Sequence, residues 1–413
     1  MPLVPKSSSQ FSSIPQAYKW GALYIPKPGR PLLDMSQGVP GSPPSGKLRD
    51  ALQTASGLPN SFGYCPAQGE ATLREEFAKE MKEIYGKDAD LTQDDLALTV
   101  GCNMAFVASI MSLADAGDEV ILPVPWYFNH QMTLTLLGIK PVPLETSSAN
   151  GFLPSLEQCK SLITPKTKAI ALVTPNNPTG AIYSPSLLAS FVTLAKEHKI
   201  ALIIDETYRD FLVDPATTLP KVPHTLFSNT SPVPWRSTLI HLYSFSKSYR
   251  IPGHRLGCIA ASPLLIQEII KVLDTLQICP PRIAQLALGQ PGLLSELRES
   301  IRNMSVQVAK RHELFKEHLP ERWKIASQGG YYAFVRHPFT GKGSVEVCKR
   351  LAMEMGVVVL PGAFFKESKE QSAEDPEDRW IRFSVANVDD EKVKRVCERL
   401  KESEGVFGWG IDV

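Results

Sequence analysis

Five short apolar segments alternate with helix-length segments between about residues 46 and 290. The apolar segments are DLALTV (95–100), EVILPV (119–124), KAIALVTP (168–175), IALIIDE (200–206) and TLIHLYSF (238–245). They are rich in β-branched residues and apolar on both faces, which is typical of strands buried in a largely parallel sheet. Helix-length segments such as 103–115 and 184–198 lie between them. This alternation predicts an α/β fold in which a mostly parallel sheet lies between helices.

The sequence pattern changes twice along the chain. Residues 1–45 are rich in Pro, Ser and Gly, which suits an extended arm better than a packed domain. After residue 290, a long charged amphipathic segment (293–318) precedes a mixture of strand-like and helical segments. Because 413 residues exceed the size of one compact core, we predict two domains. The large domain spans 46–290, and a smaller α+β domain spans 291–413 and is joined by an N-terminal arm over 1–45.

The composition argues against several classes of partner. Lys plus Arg number 44 against 43 for Asp plus Glu, so no net field attracts nucleic acid or an anionic membrane. The seven cysteines form no CxxC pair, which disfavours a disulfide framework or a zinc site and fits a reducing compartment. The N-terminus MPLVPKSSSQ lacks the apolar core of a signal peptide, and no apolar run is long enough to span a membrane. We therefore predict a cytoplasmic protein without a metal, nucleic-acid or membrane partner.

Polar residues, and one glycine, lie at or just after the ends of all five apolar segments. Ligands of parallel α/β sheets bind at the carboxyl ends of the strands, so these side chains form a candidate site. Taken singly they are ambiguous, since Lys247 could extend to solvent and Asp205 could cap a helix. Together they suit a flat heteroaromatic cation with a phosphate tail that is attached covalently to an amine. In chain order they are Gly101, Cys102, Asn103, Tyr127, Asn177, Asp205, Tyr208, Ser244, Ser246, Lys247 and Arg255.

The order and spacing of these residues resemble those of the class I/II aminotransferases. This family lies in the aspartate aminotransferase superfamily of fold-type I pyridoxal phosphate-dependent enzymes. The resemblance extends from about Asp34 to the final helical segment, and it implies the fold-type I architecture. Its markers are Tyr64…Gly69…Leu73-Arg74, Gly101-Cys102-Asn103, Asn176-Asn177-Pro178-Thr179-Gly180, Asp205-Glu206-Thr207-Tyr208, Ser244-Phe245-Ser246-Lys247, Gly253-His254-Arg255-Leu256-Gly257 and Arg382-Phe383-Ser384.

The resemblance implies that pyridoxal 5′-phosphate is bound as an imine on Lys247. The lysine would also carry the proton between the substrate and the cofactor. Asp205 would pair with the pyridine nitrogen and keep it protonated. Tyr208 and Asn177 would donate hydrogen bonds to the ring oxygen, and Tyr127 would stack on the ring. Lys247, Asp205 and Tyr208 are therefore the predicted catalytic residues.

The resemblance also assigns the phosphate, the substrate and a second subunit. Arg382 would bind the substrate α-carboxylate as a bidentate pair, helped by Asn177 and by backbone near Gly38. The family's tyrosine at the position of Tyr64 reaches the phosphate of the neighbouring subunit, which implies a homodimer with shared active sites. The phosphate itself would be held by Arg255, Ser244, Ser246 and the backbone of Gly101, Cys102 and Asn103.

Three positions depart from the family pattern. Cys102 stands where Ala, Gly or Ser is commoner, and Tyr127 stands where Trp is commoner. Val39 occupies a position next to Gly38 that is often Glu, which would alter the mouth of the substrate site. None of these changes removes a group that the chemistry requires.

The resulting hypothesis is an aminotransferase that moves the amino group of an L-amino acid to a 2-oxo acid such as 2-oxoglutarate. Trp126, Tyr331 and Tyr332 favour an aromatic or broad range of side chains. A pyridoxal phosphate-dependent lyase, synthase or oxidase would use the same cofactor-binding residues, so these alternatives stay open. A non-catalytic regulator is disfavoured because Lys247 and all its partners are present. Arg282 fits either a surface arginine or a contact with a substrate side-chain carboxylate across the dimer.

Overall fold

The computed structural model describes residues 14–214, 217, 219–367 and 378–412. Residues 1–13 of the predicted arm, including the MPLVPKSSSQ segment, lie outside this range. Within it, no helix combines the length and apolar content needed to cross a bilayer. The helices are α1 (Ile14–Gly21), α2 (Gly46–Ser56), α3 (Ala71–Tyr85), α4 (Gly101–Met111), α5 (Phe128–Leu136), α6 (Leu156–Leu162), α7 (Pro185–His198), α8 (Phe245–Ser248), α9 (Pro263–Gln277), α10 (Arg282–Leu288), α11 (Leu293–His318), α12 (Ser344–Arg350) and α13 (Asp390–Val406). The strands are β1 (Leu33–Asp34), β2 (Leu96–Thr99), β3 (Glu119–Val124), β4 (Lys140–Glu145), β5 (Thr167–Val173), β6 (Ala201–Asp205), β7 (Leu239–Ser244), β8 (Gly257–Ala260), β9 (Lys324–Gly329), β10 (Tyr332–Arg336), β11 (Val357–Val358), β12 (Leu360–Pro361) and β13 (Trp380–Ser384).

The central sheet has seven strands in the order β2-β8-β7-β6-β5-β3-β4. Strand β8 is antiparallel to β2 and β7, and the other pairs are parallel. All five apolar segments supply strands of this sheet, so the predicted α/β class is confirmed. Strands β4 and β8 were not predicted from the sequence. Strand β4 has two prolines and exposed residues because it lies at the sheet edge, and β8 has only four residues.

Alternate residues of the central strands pack into two different hydrophobic cores. On β5, Ile170 and Leu172 belong to one core, whereas Ala169 and Ala171 belong to the other. Both faces are therefore covered by helices, which explains the near-continuous apolar runs in the sequence. Each fully buried Leu or Ile contributes about 1.5–3 kcal/mol relative to an exposed one.

Ser-Pro pairs define the beginnings of two covering helices. The Ser184 hydroxyl accepts a hydrogen bond from the Leu187 amide at the start of α7, and Ser262 does the same for Leu265 at the start of α9. The prolines that follow occupy first-turn positions, where a missing N–H costs nothing. Each such cap contributes about 1 kcal/mol.

A smaller antiparallel sheet, in the order β12-β13-β10-β9, lies in the C-terminal part of the chain. The predicted helix over 293–318 is α11. Residues 14–21 of the predicted arm form α1 instead of extended chain, because Ala17 and Trp20 bury one helical face in the C-terminal core. Strand β1 pairs with β11 in parallel, which joins the N-terminal segment to this part of the molecule. The domain boundaries at residues 46 and 291 stay a prediction.

Candidate active site

A cavity of about 320 Å³ opens at the carboxyl ends of β3, β5, β6 and β7. Residues of the N-terminal segment and of the small sheet close its other side. Two of the predicted site residues, Gly101 and Tyr64, are not lining residues of the cavity. Gly101 packs against the lining residue Arg255, and Tyr64 is 79% exposed. The shared-site role of Tyr64 stays a prediction. The predicted residues that line the cavity are Gly38, Cys102, Asn103, Tyr127, Asn177, Asp205, Tyr208, Ser244, Ser246, Lys247, Arg255 and Arg382.

Lys247 lies on the short helix α8, directly after β7. The Ser244 hydroxyl caps this helix by accepting a hydrogen bond from the Ser246 backbone amide at 3.3 Å. The Lys247 Nζ donates to the carbonyl oxygen of Gly38 at 2.6 Å. Burial, together with the nearby Arg382 and Arg255 cations, lowers the pKa of Lys247 to about 8. The amine is therefore much closer to its neutral, nucleophilic form at physiological pH than a surface lysine is.

This lowered pKa predicts the pH dependence of covalent capture at Lys247. The ordinary pKa of lysine is 10.5, and the protonated form below it cannot attack a carbonyl carbon. We expect the rate at which the cofactor-free protein binds pyridoxal phosphate to rise with pH through a midpoint near 8, where the pKa of Lys247 lies. Stopped-flow absorbance at a series of pH values measures this rate. A midpoint near the ordinary lysine value would contradict the expectation.

Asp205 ends β6 and directs its carboxylate into the cavity. Its Oδ1 accepts from the Thr207 amide at 3.0 Å and from the Thr207 hydroxyl at 2.7 Å. Its Oδ2 lies 3.4 Å from the His130 Nε2. Burial alone would raise the pKa of Asp205, but the contacts with His130 and Thr207 outweigh it and leave the pKa below its usual value. The carboxylate is thus negatively charged at neutral pH and can stabilise a cation.

His130 is a site residue that was not predicted from the sequence. It lies on α5 and stacks on the Phe106 ring, with centroids 3.9 Å apart. It meets the Tyr127 ring edge to face at 5.0 Å. Its spacing of three residues from Tyr127, at the start of a helix that follows a strand end, was the available signal.

Arg382 lies on β13 and reaches the cavity from the small sheet. Its Nη1 donates to the Asn177 Oδ1 at 2.8 Å, and its Nη2 donates to the carbonyl oxygen of Ser36. The guanidinium lies over the Tyr332 ring, 4.5 Å from its centroid. Tyr332 in turn shares a hydrogen bond with Tyr208, with 2.6 Å between the two hydroxyl oxygens. These polar contacts fix the plane of the Arg382 guanidinium, which orients its N–H donors for a bidentate pair with a carboxylate.

A second cation, Arg255, faces the beginning of α4. A Cβ on Gly101 would lie 2.3 Å from the Arg255 Nη2, and a Cβ on Gly257 would lie 2.7 Å from the Cys102 amide nitrogen. Gly101 also has a φ of +76°, which favours glycine. Gly101 therefore lets the guanidinium approach the helix N-terminus, and Gly257 lets the start of β8 pack against the first amides of that helix. With the hydroxyls of Ser244 and Ser246, this end of the cavity suits a phosphate.

Cys102 and Tyr127, two of the three departures from the family pattern, line the cavity together with Arg382 and Arg255. The Tyr127 hydroxyl donates to the Asn103 Oδ1 at 3.2 Å and accepts from the Asn129 Nδ2 at 2.8 Å, which fixes the ring. The Cys102 thiol donates to the Asp205 Oδ2 at 3.6 Å. Burial and the Asp205 charge raise the pKa of Cys102 well above its ordinary value. The sulfur therefore stays a neutral thiol and is not a nucleophile.

The family model described as "Aminotransferase class I and II" matches residues 30–400. The chain belongs to this family. It is 30% identical over 349 residues to a probable aspartate aminotransferase of Methanocaldococcus jannaschii, covering 82% of this chain and 85% of the relative. It is 28% identical over 341 residues to aromatic-amino-acid aminotransferase 2 of Thermococcus litoralis, covering 82% and 83%. The crystal structure of the Thermotoga maritima aspartate aminotransferase superposes with a TM-score of 0.81 at 26% identity, covering 96% of this chain and 97% of that one.

The protein is thus a pyridoxal phosphate-dependent aminotransferase, which acts on amino acids and 2-oxo acids. Of the three aromatic residues expected near its substrate, only Tyr332 is among the described lining residues. Trp126 is buried, and the Tyr331 hydroxyl donates to the carbonyl oxygen of Lys247 at 3.3 Å. Arg282 is held by Glu70, with 2.6 Å from its Nε to the carboxylate, and also donates to the Gly63 carbonyl at 3.3 Å. Within this chain, these contacts make Arg282 a structural residue.

Proposed function

We propose that this aminotransferase moves the amino group of an L-amino acid with an aromatic side chain, or a broad range of uncharged ones, to a 2-oxo acid such as 2-oxoglutarate. The cofactor would be pyridoxal 5′-phosphate bound in the cavity. One observation carries the proposal. The amine of Lys247, the carboxylate of Asp205 and the guanidinium of Arg382 all face the same cavity of about 320 Å³.

The chemistry of the lining residues fits this cofactor. A phosphate dianion needs donors and a cation, which Arg255, Ser244, Ser246 and the first amides of α4 supply. A protonated pyridine nitrogen needs a charged carboxylate, and Asp205 is the carboxylate in the described lining. The flat cofactor ring needs an aromatic surface on which to stack, and the fixed ring of Tyr127 would supply it. Asn177 and Tyr208 would hold the ring oxygen.

When bound, pyridoxal phosphate supplies an electron-withdrawing ring and a carbon that carries the amino group between two substrates. Lys247 contributes the amine that holds the cofactor and then moves a proton at its Nζ. A positioned base of this kind typically contributes 10²–10⁴-fold to the rate, and its pKa works best near the operating pH. The lowered pKa of Lys247, about 8, meets this requirement.

Arg382 would orient the amino acid. A bidentate pair between its fork and the α-carboxylate fixes two points of the substrate, so that the Cα–H bond can stand perpendicular to the ring. Asn177 holds one guanidinium nitrogen and thereby keeps the fork in the plane that this pairing needs. The lysine amine and the Cα proton would then meet in a defined geometry.

The substrate side chain would meet a largely uncharged wall. In the described lining, the cations are Lys247, Arg255 and Arg382, and each has a task other than binding a side-chain carboxylate. Ile14, Val39 and Phe128 add apolar surface at the cavity. The neutral amides of Gln37 and Asn129 lie beside them and could hydrogen-bond the distal carboxylate of 2-oxoglutarate. These contacts favour aromatic and other uncharged donors over aspartate.

A panel of amino donors with 2-oxoglutarate tests the proposal. We expect kcat/KM for phenylalanine, tyrosine or leucine to exceed that for aspartate by about tenfold or more. Aspartate is one methylene shorter than 2-oxoglutarate, so its carboxylate would fall short of the Gln37 and Asn129 amides, and an unpaired buried carboxylate costs at least about 1.4 kcal/mol. Aspartate as the best donor would contradict the uncharged wall and point to a cation from a second subunit, such as Arg282. Release of ammonia or hydrogen peroxide without a 2-oxo acid would instead identify a lyase or an oxidase.

We also propose the homodimer implied by Tyr64. Phe62 and Tyr64 expose two aromatic side chains on one loop, 82% and 79% accessible in the single chain, which is typical of a surface that a partner covers. Light scattering gives the mass in solution, and a monomer at micromolar concentration would contradict the proposal.

A further inference from the structure

We propose that Tyr332 is a positioning residue for Tyr208. Its hydroxyl donates a hydrogen bond to the Tyr208 oxygen and so leaves the single Tyr208 proton free to point at the ligand in the cavity. The proposal rests on the proposed function, since the ligand atom that receives this proton would be the ring oxygen of the cofactor.

The two phenols form a fixed pair. Their oxygens are 2.6 Å apart, and both side chains are buried, 3% and 2% exposed. Their rings meet edge to face at 78°, with centroids 5.4 Å apart. Tyr208 follows β6 of the large sheet, whereas Tyr332 begins β10 of the small one, so the hydrogen bond joins the two sheets across the cavity.

The backbone of Gly38 holds the Tyr332 hydroxyl from another side. A Cβ on Gly38 would lie only 1.8 Å from the Tyr332 oxygen, so the position accepts only glycine while this tyrosine keeps its place. Within the described part of the chain, Tyr208 is the hydrogen-bond partner of the Tyr332 hydroxyl. The Tyr332 oxygen is therefore confined to a position from which it serves Tyr208.

The direction of the hydrogen bond follows from counting protons. Each phenol has one proton and can also accept. If Tyr208 donated to Tyr332, it would present only lone pairs to an anionic ring oxygen, and the two oxygens would repel each other. With Tyr332 as the donor, one hydrogen bond runs from Tyr332 to Tyr208 and a second from Tyr208 to the ligand. The first hydrogen bond polarises the Tyr208 hydroxyl and strengthens the second. The Arg382 cation over the Tyr332 ring, 4.5 Å from the centroid, draws electron density from this phenol and makes it the better donor.

The experiment compares Tyr332→Phe with the unaltered protein, both loaded with pyridoxal phosphate. The phenylalanine keeps the ring under Arg382 and removes only the hydroxyl. We expect the pH midpoint of the absorbance change of the Lys247-bound cofactor to rise by about half a unit, because a weaker Tyr208 donor stabilises the anionic ring oxygen less. We expect kcat to fall about tenfold while KM for the amino donor changes less than about twofold. Tyr332→Leu, which also removes the ring, should raise KM as well.

Controls separate this role from a structural one. Tyr24→Phe removes a hydroxyl that donates to the Arg30 carbonyl at 2.9 Å, away from the cavity, and should leave the midpoint unchanged. In a double-mutant cycle, Tyr332→Phe should add no further shift to Tyr208→Phe, since it acts through Tyr208. Incorporation of 3-fluorotyrosine at position 332 keeps the fold and strengthens the donor, so it should lower the midpoint.

The outcomes distinguish the two proposals. An unchanged midpoint in Tyr332→Phe, or a shift that adds fully to that of Tyr208→Phe, would overturn the positioning role and leave the proposed function intact. Failure of the unaltered protein to bind pyridoxal phosphate at Lys247 would overturn the proposed function, and the positioning role with it.

Discussion

Replacing Lys247 with alanine is expected to lower kcat/KM for transamination by at least about four orders of magnitude. The substitution removes both the amine that attaches the cofactor and the base that moves the proton, and general-base catalysis alone supplies 10²–10⁴-fold. It leaves a small cavity on α8, but Arg255, Ser244 and Ser246, which would hold the phosphate, remain. The variant should therefore still bind pyridoxal phosphate, reversibly and more weakly.

Two measurements check the Lys247 prediction. Steady-state assays with the best donor give the loss of activity, and mass spectrometry after borohydride reduction should locate the cofactor on Lys247 only in the unaltered protein. Lys271→Ala is the matched control, because Lys271 is an exposed lysine on α9 whose partner is Glu268 at 2.6 Å. If Lys247→Ala retained more than about one per cent of the activity, a proton carrier at this position would no longer be required.

The half of the site that lies on the central sheet could be predicted from the sequence. Strands of a parallel sheet end at the same edge, so residues that follow the apolar segments must approach one another. Asn177, Asp205 and Lys247 lie at or just after the ends of three neighbouring strands, β5, β6 and β7, which explains why sequence spacing alone brought them together.

The alternation of side chains along a strand separates the two carboxylates at the end of β6. Asp205 and Glu206 are adjacent in sequence, and only the family resemblance distinguished them there. Alternation directs Asp205 into the cavity and Glu206 to the opposite side, where it meets His224 at 3.2 Å and His241 at 3.0 Å. Only one of the two can therefore serve a ligand in the cavity.

The residues that reach the cavity from the small sheet could not be derived from sequence spacing. Arg382 and Gly38 were assigned only through the family resemblance, because their positions depend on how the small sheet packs on the large one. The contact between Tyr208 and Tyr332 has the same origin, since 124 residues separate the two partners. His130 was missed for another reason. A histidine on a helix is more often a packed core residue, and only its distance to Asp205 identifies its role.

Asp205→Asn is expected to lower kcat/KM by about one to three orders of magnitude. The amide keeps the shape of the carboxylate and one acceptor for Thr207, but it removes the charge that would hold the cofactor's pyridine nitrogen protonated. A neighbouring charge of this kind shifts a pKa by about 1–3 units, and each unit corresponds to about 1.4 kcal/mol or tenfold in rate. Because the pKa of Asp205 lies below its ordinary value, the unaltered carboxylate stays charged across the neutral range, so the loss should be nearly independent of pH above about 5.

Glu206→Gln separates chemistry from stability in the Asp205 comparison. It makes the same chemical change one residue away, where the carboxylate faces His224 and His241 instead of the cavity. This variant should unfold at a lower temperature, since a buried pair loses its charge complement, yet it should keep kcat/KM within about tenfold. Single-turnover rates with saturating pyridoxal phosphate, together with thermal unfolding, measure both effects. Equal losses of kcat/KM in the two variants would mean that loss of a buried charge near β6 explains the effect, whichever side of the strand it is on. That result would contradict the assignment of Asp205 as the partner of the pyridine nitrogen.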